Sequence, residues 1–306
     1  MALALLALSG ASPAGAAYPG REGAIAIACD GCPGVPGGNP AVFRVGPSDR
    51  FLAVALRRGD GPTFSPRGSA LAAGIGPGRG IVVLASDGRV RRLTRPPLLA
   101  VDRDPTWSPD GRRLLFLRAR DRSVDLMSVA ANGRGGRRLL ADAGVGGLAW
   151  APAGDLVAVI VVGDTDHGGS VGLMRSDGTG LRVLAPGWSV EPDGSIAGSG
   201  SASRLDWAPG GSRLAVVWAD ADGIGSSVEL VDRRTGARTV LLHSALTIPA
   251  VAFSPRGDRL VVALPRRPRP RQNAVYDIAV VSLPAGERRL LARGLPYVSS
   301  LDWQAR

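Results

Sequence analysis

Two cysteines three residues apart, in Cys29-Asp30-Gly31-Cys32, are the first side chains whose spacing could carry chemistry. In a reducing compartment this spacing suits dithiol redox chemistry or half of a zinc site. A tetrahedral zinc site needs two more ligands, and the only histidines are His167 and His243. In an oxidising compartment a small structural disulfide is the simpler reading, and a Cys29–Cys32 bond is expected. Carboxylates gather in Asp164-Thr165-Asp166-His167 and in Asp220-Ala221-Asp222. Asp164, Asp166, His167, Asp220 and Asp222 could together chelate a divalent cation. Neither run has the spacing of a calcium loop, and no cofactor is expected. Arg266-Arg267-Pro268-Arg269-Pro270-Arg271 is a compact cationic loop stiffened by proline. Arg266, Arg267, Arg269 and Arg271 could hold an anionic ligand or simply face solvent. Trp188, with Glu191 and Asp193 in a Gly/Ser-rich stretch, could anchor a partner or fold back as a lid. No nucleophile elbow, hydrolase domain or phosphate loop is expected, so the protein is read as non-catalytic.

These residues need a scaffold, and a repeat supplies one. One phrase recurs: Phe64-Ser65-Pro66-Arg67-Gly68, Trp107-Ser108-Pro109-Asp110-Gly111, Trp150-Ala151-Pro152-Ala153-Gly154, Trp207-Ala208-Pro209-Gly210-Gly211 and Phe253-Ser254-Pro255-Arg256-Gly257. Trp303 closes the series. The aromatic ends a strand and fills space between sheets. Proline sets the first corner of the turn and glycine accepts the positive φ that follows. An apolar run, a second run, an Asp-Gly-type turn and a fourth strand come after each phrase, which predicts a four-stranded antiparallel meander. A period in the forties is a propeller-blade length. The count predicts an all-β, six-bladed β-propeller. Blades are expected at about 60–95, 103–141, 146–185, 203–243 and 249–292. The sixth is expected to join 296–306 to strands within 22–57, closing the ring and hiding its edges.

The pattern aromatic-Ser-Pro-Asp-Gly, apolar strand, second strand, Asp-Gly, Arg-Leu-Thr resembles the TolB-like, WD-like propeller repeat. Trp107 to Leu140 carries it most fully, and Arg92-Leu93-Thr94 matches its ending. The resemblance covers residues 22–306. It implies the propeller fold and a family of periplasmic scaffolds and peptidase-gating propellers. TolB's separate N-terminal α/β domain has no counterpart in this sequence.

In such a meander, turns one and three of each blade share one face of the disc. Turn two and the blade-to-blade connections share the other. The variable segments 76–80, 118–123, 163–170, 219–227 and 265–274, and the connection 186–203, all fall on that second face, as does the cysteine loop. Insertions collected on one face mark the expected binding face. Near the inner strands, Arg103, Asp104, Arg204, Asp206 and Asp302 are candidates for the channel mouth. Asp206 and Asp302, each one residue before the aromatic, could equally be structural acceptors.

All 37 basic residues are Arg, against 26 acidic ones, a net charge of +11. The arginines are spread along the whole chain, which argues for composition rather than a nucleic-acid patch. Residues 1–17 read as an export signal: an apolar run from Ala2 to Leu8, then Ala14-Gly15-Ala16-Ala17, with cleavage expected after Ala16 or Ala17. No later segment reaches membrane-span length. The sequence therefore predicts a single propeller at 18–306, periplasmic or secreted, monomeric, docking a protein, peptide or glycan on the long-loop face. The alternative is a metal-dependent propeller hydrolase acting at the channel mouth. An Arg-driven binder of nucleic acid or lipid is a third, weaker reading.

Overall fold

The computed structural model describes residues 17–32, 41–46, 51–121, 123–163, 168–191, 193, 195–197, 200–221, 223–266, 274–284 and 286–306. Among these, all regular structure is β, in six four-stranded antiparallel sheets and one two-stranded hairpin. Blade 1 runs Asp60–Phe64, Ala70–Gly74, Ile81–Ala85, Val90–Arg92 from the axis outward. Blade 2 is Val101–Trp107, Arg113–Arg120, Ser123–Ala130, Arg137–Leu140. Blade 3 is Val145–Trp150, Leu156–Val161, Ser170–Arg175, Arg182–Ala185. Blade 4 is Ser201–Trp207, Arg213–Ala219, Ser226–Asp232, Arg238–Ser244. Blade 5 is Val251–Phe253, Arg259–Arg266, Val275–Ser282, Arg288–Leu295. Blade 6 takes its inner strand from the C-terminus, Tyr297–Ala305, and its other three from Glu22–Asp30, Ala41–Val45 and Phe51–Leu56. Trp303 pairs with Ile25 and Leu301 with Ile27, so the two ends of the chain share one sheet. Each inner strand touches the next around the ring, including blade 6 against blade 1.

The recurring phrase folds as its chemistry dictates. All six aromatics are buried between blades. At the second phrase, Gly111 N donates to Ser108 O (2.8 Å) and Arg113 N to Ser108 Oγ (2.9 Å). Gly111 has φ 69°, a conformation that costs a residue with a Cβ. The middle strands alternate between two apolar neighbours, so runs such as Leu114–Leu117 and Leu214–Trp218 are buried on both faces.

Outside blade 5, the residue before the aromatic ties neighbouring blades together. Thr106 Oγ1 accepts from Trp150 N (2.9 Å), Asp206 Oδ2 from Phe253 N (2.6 Å) and Asp302 Oδ2 from Phe64 N (2.5 Å). In the other direction, the indoles of Trp107 and Trp207 donate to Thr63 O (3.1 Å) and Ala149 O (2.9 Å). The Arg-Leu-Thr ending is also structural. Thr94 Oγ1 accepts from Ile81 N (2.9 Å) and donates to Asp102 (2.5 Å), which Arg118 clamps through both carboxylate oxygens (2.6 and 2.9 Å).

One loop expectation is corrected. Segment 118–123 is mostly strand: Arg120 ends one strand and Ser123 opens the next. Arg118 and Arg120 find carboxylate partners in Asp102 and Asp125, so the strand continues through charged positions. The connection between blades 3 and 4 also carries its own hairpin, Ser189–Val190 paired with Ile196–Ala197.

Candidate functional site

In four of the six blades the positions three and four residues before the closing aromatic form a polar layer near the loop face of the channel; blades 3 and 5 carry Gly146, Gly147, Pro249 and Ala250 there. Arg103 and Asp104 occupy it in blade 2, Arg204 in blade 4, Asp60 in blade 1 and Ser299 in blade 6. Bulges lie at this level in blades 1, 2 and 4, where an extra residue re-aims the following side chains. Arg103 Nη1 pairs with Asp104 Oδ2 (2.5 Å) and reaches Gly146 O of blade 3 (3.3 Å). Ser299 Oγ donates to Asp60 Oδ1 (2.6 Å), and Arg204 Nη1 to Ser203 O (2.7 Å). Asp104 has φ 55°, a backbone conformation in which a non-glycine residue is strained. Burial pushes its carboxyl up to about 7, with the Asp60 carboxylate adding to the rise and Arg103 and Arg204 opposing it. Burial likewise lowers the Arg204 guanidinium, against the pull of Asp104, Tyr297 and Asp60. Asp104 Oδ1, Arg204 Nε and Ser300 Oγ are buried without a hydrogen-bond partner. The layer thus holds donors and acceptors side by side, and Asp104 can act as either near neutral pH.

Asp206 and Asp302 do not join this cluster. They sit one turn further down, where they accept from the next blade and approach Tyr18. Burial holds both carboxyls above the usual range, Asp302 at about 8. Tyr18 Oη donates to Trp107 O (2.6 Å), and Ala17 N to Trp207 O (3.3 Å). Both residues are buried.

The loop face holds the rim. Trp188 folds back rather than standing free: its carbonyl accepts from Gly168 N (2.7 Å), its N–H donates to Gly200 O (2.9 Å), and the ring is half-buried over Gly168. Glu191 and Asp193 are exposed at the tip of the adjoining hairpin, with Glu191 N bonded to Ser195 O (2.8 Å). Arg266 ends its strand 3.7 Å from Asp277. Arg267, Arg269, Arg271, Asp164, Asp166, His167 and Asp222 lie outside the described residues. Asp220 hydrogen-bonds His243 Nε2 (3.0 Å). Among the described residues no three His, Cys, Asp or Glu side chains form a metal-sized cluster. Cys29 and Cys32 are joined as a disulfide inside the apolar core of blade 6.

Sequence reasoning passed over three features. Asp60 and Tyr297 belong with the mouth, and the signal was there: Asp60 stands at the same offset from Phe64 as Arg103 from Trp107. Ala17 and Tyr18 reach the axis. Gly168-Gly169-Ser170-Val171-Gly172 spells Gly-x-Ser-x-Gly, but Ser170 opens a strand and its Oγ accepts from Gly187 N (3.0 Å), with no strand–turn–helix elbow. On the opposite face a cavity of about 370 Å³ between blades 6 and 1 is lined by Arg44, Arg67, Arg306 and Gln304.

No protein-family model and no curated protein matches the chain. Among solved structures, TolB from Acinetobacter baumannii superimposes with a TM-score of 0.72 over 93% of this chain and 67% of that one, at 18% identity. The fold is that of a TolB-like propeller. The chain is also similar to an oligogalacturonate lyase in complex with manganese, with TM-score 0.59 and 17% identity over 84% of this chain and 71% of that one. It is similar as well to a chain of the Nidogen/Laminin complex, with TM-score 0.65 and 13% identity over 92% of this chain and 98% of that one. At these identities the TolB-like likeness is one of fold, and function has to be argued from the site.

Proposed function

We propose that the chain is an extracytoplasmic, non-catalytic binding propeller whose loop-face mouth receives a segment of a protein or peptide partner. The observation that carries this is the group of buried, unpaired polar atoms at one level of the channel: Asp104 Oδ1, Arg204 Nε and Ser300 Oγ. Each such atom costs about 1–3 kcal/mol while unpaired. A peptide carries N–H and C=O groups at every residue and can satisfy donors and acceptors together. Glycan hydroxyls offer the same pairing, and the test below separates the two. The Nidogen/Laminin complex supports a protein partner for this fold. Export is supported by the leader-like sequence and the Cys29–Cys32 disulfide.

A second reading is a metal-dependent hydrolase acting at the same mouth. On its side stand Asp104, a buried carboxyl titrating at about 7, and the manganese-bound lyase with this fold.

Arrayed peptides and glycans decide among these. Ligands selected on the folded protein should lose about tenfold or more in affinity in Arg103→Ala and Tyr297→Ala. Arg89→Ala, on the turn face, should leave them unchanged. Binding that survives both mouth variants refutes the proposal. One divalent cation retained per chain, with hydrolysis abolished by a chelator, establishes the enzyme reading instead.

A further inference from the structure

We infer that removal of a leader between Ala16 and Ala17 completes the turn-face end of the channel, because the α-ammonium created on Ala17 becomes the counter-ion of Asp206. This rests on the export reading above, and the experiment keeps the two apart.

The N-terminal segment crosses the ring axis. It leaves blade 6 where Arg21 N donates to Arg306 O (2.7 Å) and Arg306 N to Arg21 O (2.8 Å). Tyr18 Oη then bonds Trp107 O in blade 2, and Ala17 N bonds Trp207 O in blade 4. Only a segment on the axis can touch three alternate blades. Ala17 is 1% exposed and Tyr18 5%, so they plug this end.

The plug meets uncompensated acid. Asp206 Oδ2 takes the Phe253 N–H, while Oδ1 is buried with no partner. No arginine among the described residues pairs with Asp206 or Asp302. Ala17 N already lies within hydrogen-bonding reach of Asp206. The titratable groups that approach Tyr18 here are Asp302, Asp206 and, from the turn, Asp110. All are acids, and with no cation beside it burial favours the protonated form of Asp206. An amide at Ala17 has one N–H to share between Trp207 O and the Asp206 carboxylate. An ammonium has three, enough for Trp207 O and the Asp206 carboxylate together.

The sequence puts the cut in the right place. Ala14-Gly15-Ala16 is the small-x-small pattern that an export peptidase reads immediately before the bond it cleaves. Hydrolysis consumes one water. The Ala16–Ala17 C–N bond breaks, Ala16 leaves with the new carboxylate, and the Ala17 nitrogen becomes an amine that takes up a proton. A cut after Ala17 would remove the residue that reaches Asp206.

The chain has no lysine, so the α-amine is the only primary amine of the processed protein. Intact mass of the exported protein should give a chain starting at Ala17. An uncleaved chain refutes the export reading, and a start at Tyr18 refutes the site. On the Ala17 form, acylation by an amine-reactive ester should be about 100-fold slower in the folded than in the denatured state, reflecting burial and pairing. Asp206→Asn should recover at least tenfold of that rate. Should that variant fail to fold, a second variant with Gly-Ser ahead of Ala17 should be labelled at the unfolded rate and melt at a lower temperature. Equal labelling of folded and unfolded Ala17 protein, or an extension that leaves the melting temperature unchanged, overturns the proposal.

Discussion

Replacing Asp302 by Asn removes one buried titrating group while keeping an oxygen for the Phe64 N–H, which Asp302 accepts at 2.5 Å. Burial raises this carboxyl from 3.8 to about 8. Between those values the folded protein holds a proton that the unfolded chain has lost. Unfolding therefore releases a proton, and stability must fall as pH rises. The contribution is complete below about pH 4 and gone above about pH 8. One proton corresponds to about 1.4 kcal/mol per pH unit, so from pH 5 to pH 8 the native protein should lose ~4 kcal/mol through this group. Asp302→Asn does not titrate and should escape that loss, and removing the Asp302 charge also eases the rise it causes at Asp206. Urea unfolding of both proteins at pH 5, 6, 7 and 8 reads the effect as a gap that widens in favour of the variant by roughly 4 kcal/mol. Parallel curves would refute the reasoning, since they would mean that Asp302 is already ionised in the fold and finds a cation there.

Thr106→Val keeps the shape of the side chain but leaves the Trp150 N–H without its acceptor at 2.9 Å. It should cost about 1–3 kcal/mol in chemical denaturation, and no change would deny the inter-blade role of that position. Cys29→Ser with Cys32→Ser opens a four-residue loop and should cost about 2 kcal/mol on chain-entropy grounds. Reductant on the native protein should reproduce that loss, and failure to do so would place the stabilisation elsewhere. In Gly168→Ala the new Cβ would lie 2.5 Å from Trp188 Cδ1, so the indole must move. Trp188 fluorescence should become more quenchable and the 189–197 hairpin more protease-sensitive, with unchanged quenching counting against the contact.

The ring was legible because its signals are local and repeated. Each aromatic-Pro-Gly phrase fixes one strand end and one turn, and five copies with Trp303 as the sixth aromatic leave little freedom in how they associate. The closing blade was legible from the same count, since Trp303 lacked three strands that 22–57 could supply. The mouth was half legible. Arg103, Asp104 and Arg204 could be named because they lie near the inner strands. The bulges that aim them, and the return of Asp60 and Ser299 to the same level, depend on inter-strand register that no single segment encodes. The strand through Arg118 and Arg120 misled because charged residues usually mark a loop, and here their carboxylate partners come from elsewhere in the sequence. Trp188 was undecidable as sequence, because a fold-back onto Gly168 and a free anchor need the same composition.

The two identical triplets Leu205-Asp206-Trp207 and Leu301-Asp302-Trp303 point to an order finer than the six-fold count. Blades 2, 4 and 6 carry a polar Thr106, Asp206 or Asp302 before a Trp; blades 3 and 5 carry Ala149 and Ala252 there. The even blades thus hand a side-chain acceptor to the following blade, and in blades 2 and 4 the indole reaches back to the preceding one. The N-terminal segment uses the same even set, bonding the carbonyls of Trp107 and Trp207. The turn end of the channel is therefore spent on holding the ring together and on seating Ala17 and Tyr18. That leaves the loop end, where Asp60, Arg103, Asp104 and Arg204 are not consumed by inter-blade bonding to backbone N–H groups, as the end with polar capacity to spare. A ligand entering there meets a channel closed behind the polar layer, so affinity has to come from that layer and from the rim built by Trp188 and the 189–197 hairpin.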